Sequence, residues 1–384
     1  MLIRAIALLL SFAAMPALAL ETTARAAMVM DYDTGIVLLA KNEDEALPPA
    51  SMSKLMTLNM VFEALEDGRL TLDERLPVSE HAMSYGGSTM FLNTRDRVSV
   101  EDLIQGVIVL SGNDACAVLA EALGGTEAEF ARRMNERARE LGMLNSTFAN
   151  SNGWPDANQR MSARDLVFLA RRLIKDFPQY YHYFAETEFG FDERAPQNRF
   201  NRNPLLSLNI GADGLKTGHT AEAGYGLVGS AMRDGRRVVM MITGMETAAA
   251  RESEAERLMN WAFREFSQRT LFSAGTRLAE AEVWLGEASH VGLALRDDVS
   301  LLVPFQQANN IIANIRYTGP IAARDGARSQ ITLGDELGVL EVSVPDIGEY
   351  TFPLIATESV AAAGFITRFG AAFEHLKSQV LSAL

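Results

Sequence analysis

Apolar positions along this chain repeat with a period that changes several times, and each change marks an element. Residues 27–30 and 36–39 are short apolar runs on either side of Asp31 to Gly35, a Gly-ended turn that predicts a hairpin. Pro48 and Pro49 break the chain before an apolar stretch that runs from Ser51 to Asp67 and stops at Gly68, which predicts a helix. Leu55, Met56, Leu58, Met60, Val61, Phe62, Ala64 and Leu65 make that helix apolar almost all round, so it is expected in the middle of a domain. Helical spacing returns over residues 100–110, 114–123, 127–141 and 162–174. From Leu215 the period shortens, and runs 225–232 and 236–243 flank Asp234-Gly235, a short-loop hairpin signal. A helix over 252–266 follows. Strands, then helices, then strands and a closing helix predict an α/β (α+β) fold, a mixed sheet with helices on its faces and a helical subdomain.

Residues 271–354 read differently. Short strand-like runs (282–285, 299–303, 311–317, 339–344) alternate with Gly and Asp-Asp turns, which predicts a small all-β domain serving as spacer or partner-binding module. Across 358–384 the pattern turns helical again. Phe365, Phe369, Ala372, Phe373, Leu376, Val380 and Leu384 fill an arc of roughly 120° at ~100° per residue. Arg368, Glu374, His375 and Lys377 on the other side exclude a membrane-spanning helix, which leaves packing on the β domain or lying in a membrane interface. At the other end, Arg4, the apolar run 5–14 and Ala17-Leu18-Ala19 read as a secretory signal peptide over 1–19. The expected organisation is therefore 1–19 signal, 20–268 catalytic domain, 269–356 all-β domain and 357–384 amphipathic helix.

The 384 residues carry a net charge of −14 without a basic, aromatic-interleaved run, which excludes nucleic acid as a partner. Five histidines are scattered without ligand spacing, so neither a metal site nor a cofactor is expected. Cys116 is the only cysteine; it rules out an intramolecular disulfide and reads as a small buried hydrophobe.

Three short strings carry the candidate chemistry. Ser51-Met52-Ser53-Lys54 opens the apolar helix, so Ser51 and Lys54 share one face, one turn apart. A serine hydroxyl needs a neighbour to take its proton, and a lysine does so only when burial or a nearby cation depresses its pKa. Lys216 is a candidate for that cation. Ser111-Gly112-Asn113 offers a proton relay and an amide, and Lys216-Thr217-Gly218 offers donors to an anion beside a glycine that admits close approach. Taken singly they read as a helix N-cap, a loop and a hairpin end. In this order, in a chain with an export signal, they make the parts of a serine acyl-transferase.

The extended strings, Pro49-Ala50-Ser51-Met52-Ser53-Lys54, Ser111-Gly112-Asn113-Asp114 and Asp213-Gly214-Leu215-Lys216-Thr217-Gly218-His219-Thr220, resemble those of low-molecular-mass penicillin-binding proteins, the D-alanyl-D-alanine carboxypeptidases. The resemblance covers essentially the whole mature chain. It implies a β-lactamase/DD-peptidase-like catalytic domain that acts on peptidoglycan stem peptides and is acylated by β-lactam antibiotics. It implies Ser51 as nucleophile, Lys54 as general base, and Ser111, Asn113 and Lys216 in proton transfer and positioning. Thr217, Gly218 and His219 would line the substrate, with the Ser51 and His219 N–H groups as oxyanion hole and Arg251 holding the terminal carboxylate. It also tips the terminal helix towards peripheral attachment at the periplasmic face of the inner membrane. Cross-link endopeptidase action, a class A β-lactamase-like hydrolase and a silent wall-binding scaffold are the alternatives. Against the second, Glu140 lies out of register for an E-x-x-L-N string, and Gly112 stands where those enzymes have Asp.

Overall fold

The computed structural model describes residues 20–194, 196–323 and 330–364. The expected signal segment and positions 365–384 of the expected terminal helix lie outside them. The chain divides into two compact units, Met1–Asn260 and Trp261–Leu384, with the division inside the last long helix.

In the first unit, β1 (Ala26–Asp31) and β2 (Val37–Lys41) form the hairpin foreseen from their apolar runs, while β3 (Arg75–Pro77) and β4 (Arg97–Ser99) pair as a small separate ribbon. Strands β5 (Ala212–Thr220), β6 (Gly224–Arg233) and β7 (Arg236–Met245) complete an antiparallel sheet in the order β2-β1-β7-β6-β5. All of β1 and nearly all of β7 is buried whichever way the side chains point, so the middle of the sheet is covered on both faces. Strand β5 is an outer strand.

The helices of this unit are α1 (Lys54–Glu66), α2 (Glu80–Met83), α3 (Val100–Gln105), α4 (Asn113–Gly124), α5 (Glu127–Glu140), α6 (Ala163–Asp176), α7 (Pro178–Tyr181) and α8 (Ala248–Glu265). Their starts follow ordinary capping chemistry: the side chains of Ser99, Thr126 and Ser162 accept the Asp102, Glu129 and Asp165 N–H groups that open α3, α5 and α6. Helix α6, with Leu166, Val167, Ala170 and Leu173 buried, packs on β1 and β7. Helix α1 is buried all round, as its composition requires. Its Phe62 ring stacks on Tyr180 at 5.1 Å and meets Phe177 at 5.7 Å, a burial worth about 1.5–3 kcal/mol.

Two local departures from the expected helices matter for the site. The expected helix at Ser51 begins as a 3-10 turn, Ala50–Ser53, because Ala50 sits at φ 49° behind Pro48-Pro49 and α1 winds only from Lys54. Ser51 therefore caps nothing. The helix expected over 100–110 closes as a π turn, Gly106–Leu110, and ends in Ser111 at φ 61°, ψ 34°. A side chain at Gly106 would collide with Met90 Sδ, which fills the space that glycine leaves.

The second unit is all-β. Strands β8 (Phe266–Phe272) and β11 (Val299–Pro304) form one ribbon. The six-stranded sheet is ordered β12-β15-β16-β10-β9-β13. Its strands are β9 (Arg277–Trp284), β10 (His290–Leu295), β12 (Ile312–Tyr317), β13 (Ile321–Ala322), β15 (Glu336–Val344) and β16 (Gly348–Ala356). A further ribbon joins β14 (Gln330–Ile331) to β17 (Val360–Ala361). The last pairing corrects one expectation. The segment read as helical from 358 is strand over Val360–Ala361, because Val360 and Ala363 are needed in the β core, 3% exposed each, and Ala362 bridges Gly286. The all-β unit thus runs past 356, and β8 starts before 269. Among the described residues, no helix is long and apolar enough to cross a membrane.

Candidate active site

Each of the three strings stands at the end or edge of an element, and packing brings them together. The 3-10 turn lifts Ser51 at the mouth of the buried helix α1, whose first residue, Lys54, is fully buried. The Lys54 Nζ lies 3.0 Å from Ser51 Oγ, 2.7 Å from Asn113 Oδ1 and 2.5 Å from the Asn152 carbonyl oxygen. Asn113 opens α4 and is held in turn, its Nδ2 donating to the Gly86 carbonyl at 2.9 Å. Behind it, the Asp114 carboxylate accepts from the N–H groups of Met90, Leu92 and Ala115, which fastens the 86–92 loop across the site.

The outer strand β5 supplies the opposite wall. Lys216 Nζ donates to Ser111 Oγ at 2.9 Å and to the Thr217 carbonyl at 3.2 Å. Gly218 explains how a strand and a turn approach so closely: a Cβ there would stand 2.9 Å from Pro49 O and 3.1 Å from Met52 Cγ. His219 is exposed and stacks its ring on Tyr225, its cross-strand partner, at 3.9 Å. The Arg251 guanidinium, in the first turn of α8, lies 5.8 Å from the same Tyr225 ring.

Arg251 is 8% exposed, its Nε has no hydrogen-bond partner, and its Nη2 reaches only the Arg202 carbonyl at 3.4 Å. A buried cation so poorly satisfied can receive an anion from outside the protein. Arg202 lies on the rim and joins the two sides. It donates to Ser88 Oγ at 2.9 Å and to the carbonyl of Leu110, the residue before Ser111, at 2.8 Å.

The electrostatics separate the two lysines. Burial lowers Lys54 to about 8, with the Arg202 charge acting in the same direction and Asp114 and Glu127 opposing it. Burial also pushes Lys216 well below its ordinary value, and the charges of Arg202, Lys54 and Arg251 push it further. Among the cations, Arg202 is the one whose charge bears most on Lys54. Burial drives the Cys116 thiol up to about 12, so it stays a neutral core group.

All of the sequence-derived site positions are thus gathered at one place: Ser51, Lys54 and Asn113 in one hydrogen-bonded set, Ser111 and Lys216 in another, Thr217, Gly218 and His219 along β5, and Arg251 behind Tyr225. Sequence reasoning missed Arg202 and the Asn152 carbonyl. The signal nearest to hand was the turn-rich run Asn150-Ser151-Asn152-Gly153, whose Gly153, at φ 84°, lies against Ala50.

This arrangement places a desolvated amine beside a serine hydroxyl, with buried cations nearby. A family profile described as D-alanyl-D-alanine carboxypeptidase matches residues 12–247, more than half of the chain. The chain belongs to the D-alanyl-D-alanine carboxypeptidase family. A second profile, the C-terminal domain of penicillin-binding protein 5, matches residues 266–362 and so spans the all-β unit. Among curated members of the family, the D-alanyl-D-alanine carboxypeptidase DacC of Escherichia coli (strain K12) is 37% identical over 90% of this chain and 86% of its own length. DacF of Bacillus subtilis (strain 168) is 32% identical over 90% and 87%. The solved carboxypeptidase DacD from Francisella tularensis superposes with a TM-score of 0.74 at 30% identity, covering 90% of this chain and 95% of that one. Penicillin-binding protein D2 from Listeria monocytogenes, solved in an ampicillin-bound form, matches with a TM-score of 0.57 at 34% identity over 62% of this chain and 97% of its own.

Proposed function

We propose that this chain is a serine D-alanyl-D-alanine carboxypeptidase that releases the terminal D-alanine of peptidoglycan stem peptides through an acyl-enzyme on Ser51, and that penicillins acylate the same oxygen. The observation that carries the reading is the Lys54 amine. It is wholly desolvated, brought to about 8, and 3.0 Å from the Ser51 hydroxyl. A general base works best when its pKa lies near the working pH, and burial has moved this lysine there.

The chemistry follows from the geometry. Lys54 Nζ takes the Ser51 proton as Oγ attacks the carbonyl carbon of the penultimate D-alanine. Backbone N–H groups of Ser51 and His219 face the oxyanion that forms. Collapse breaks the amide bond, and the proton that Lys54 took passes by way of Ser111, which Lys216 holds at 2.9 Å, to the leaving amine, freeing Lys54 again. D-alanine departs, and water, deprotonated by the same base, cleaves the ester and restores Ser51. Arg251, with Thr217 and the rim guanidinium of Arg202, receives the free carboxylate that defines the substrate. β5, an outer strand, has one side with no neighbouring strand, where an extended peptide adds to the sheet.

Two tests follow. Wild type should release D-alanine from a pentapeptide ending in D-Ala-D-Ala and take up fluorescent penicillin, and Ser51→Ala should do neither while melting at the wild-type temperature. A labelled Ser51→Ala protein, or a wild type that is labelled yet releases no D-alanine, refutes the proposal. The signal-like segment 1–19 and the amphipathic positions 365–384 further support export and peripheral attachment at the periplasmic face of the inner membrane. A chain ending at residue 364 should move to the soluble fraction on cell fractionation; identical partitioning of the two proteins overturns the anchor.

A further inference from the structure

Glu127 is a buried carboxylate next to the site that the chemistry above leaves unused. It stands in the first turn of α5, behind the Thr126 cap, where any carboxylate complements the helix N-terminus. Its hydrogen bonds go elsewhere. Oε1 accepts from the Ser151 N–H at 3.0 Å and from Ser151 Oγ at 2.5 Å. Oε2 accepts from the Tyr85 hydroxyl at 2.7 Å and lies 2.6 Å from His81 Nε2. Burial alone would raise this carboxyl, but the bonds from Ser151, His81 and Tyr85 outweigh it and hold Glu127 below its usual value.

Ser151 is pinned from a second side. Its carbonyl accepts from Thr57 Oγ1 at 2.5 Å, and Thr57 lies on α1 one turn beyond Lys54. The next carbonyl along, that of Asn152, receives the Lys54 amine. That contact has a consequence for base catalysis. A neutral lysine has two N–H donors and one lone pair. With Asn113 Oδ1 and Asn152 O taking the two donors, the lone pair is left pointing at the Ser51 hydroxyl. If the Asn152 carbonyl swings away, the amine is free to turn a donor towards Ser51 instead, which is useless for taking a proton.

We propose that Glu127 is a positioning residue for the base Lys54, acting through the Ser151–Asn152 segment. The proposal rests on the reading of Lys54 as general base. The charged and titratable groups that bear on Lys54 are Arg202, Lys216, Asp114, Cys116 and Glu127 itself; those facing Glu127 are His81, Tyr85, Lys54 and Cys116. Arg202 disfavours the ammonium, while Asp114 and Glu127 favour it. Removing the Glu127 charge therefore moves Lys54 further down.

The test is the pH dependence of acylation by a fluorescent penicillin, measured on the full chain with its melting temperature. In Glu127→Gln, which keeps the shape and loses the charge, the limb belonging to Lys54 should move to lower pH and the plateau should fall about tenfold. In Ser151→Ala, which keeps the charge and loses one tether, the plateau should fall by less and the limb should stay at the wild-type pH. A purely structural role predicts something else: lower melting temperature and less active protein, with the limb unmoved. That result, or a Glu127→Gln profile superposable on wild type, overturns the proposal. A wild type that takes up no label at all overturns the acyl-enzyme reading first, and this inference with it.

Discussion

The two units of this chain bury different things. Among the described residues of the first unit, Lys54, Lys216, Ser111, Asn113, Asp114, Glu127 and Arg251 are all buried, beside a large apolar core. From residue 261 onward, among the described residues, none of the polar or charged ones is buried as a whole; the core there is Ala281, Val291, Leu293, Leu295, Leu340, Val342, Leu354 and their neighbours. A buried amine costs stability unless its donors are satisfied, and Lys54 and Lys216 are satisfied chiefly by the groups that would carry the chemistry. The sign for Lys54 is definite. Its folded value, about 8, lies below the ordinary 10.5, so the unfolded chain binds the proton more tightly. The amine thus opposes folding most below pH 8, and that opposition fades as pH rises towards 10.5. The first unit accepts such a cost where it needs a reactive group, and the second does not.

The sharpest way to break this contrast is to remove the amine. Lys54→Met keeps the volume and deletes the base, so acylation by penicillin should fall on the order of 10²–10⁴-fold. In wild type the rate should climb with pH and level off above about 8, because only the neutral amine accepts the Ser51 proton. The residual rate of Lys54→Met should be flat over the same range. A variant that keeps the rise through pH 8 shows that the limb belongs to another group, and Lys216 becomes the base to test.

A smaller effect is expected at Arg251, whose cost is recovered in binding. Charge-assisted hydrogen bonds to a carboxylate are worth about 1.5–3 kcal/mol each, so Arg251→Ala should lose on the order of 10- to 100-fold in kcat/KM on a peptide ending in free D-Ala. The same peptide with an amidated end should lose much less, because it offers no carboxylate. Equal losses on both substrates would show that Arg251 shapes the site without recognising the carboxylate.

What could be read from the sequence divides along a physical line. Ser51 and Lys54, Ser111 and Asn113, and Lys216 to Gly218 are adjacent in the chain and act through their side chains, so residue type and spacing carried the information. The apolar stripe of α6 and the all-round apolar α1 were legible for the same reason. Asn152 acts through its backbone carbonyl, which any residue possesses, and Arg202 sits in an aperiodic loop between Asn201 and Asn203. Neither leaves a pattern. Ala50 and Ser111 adopt left-handed backbone conformations that leave no mark in the sequence, Ala50 lying against the distant Gly153. At the far end, Val360 and Ala363 stand at a helical spacing, yet Val360 pairs in a strand and both are buried in the β unit.

The gentlest perturbation for catalysis falls in the second unit. Leu293 is fully buried in β10 at the centre of its sheet, between β16 and β9. Leu293→Ala should remove about 2–5 kcal/mol of stability from that unit, since the cavity can relax only in part. Among the described residues, none of those placed at the acylation site lies beyond Arg251, so the penicillin acylation rate and its limb near pH 8 should stay at wild-type values below the new melting transition. Calorimetry and labelling on one sample make the comparison. A lowered transition with unchanged labelling confirms that the apolar unit contributes no group to the chemistry. If the acylation plateau falls while the protein is still folded, the division between a reactive unit and an inert one is wrong, and the β unit bears on Ser51 after all.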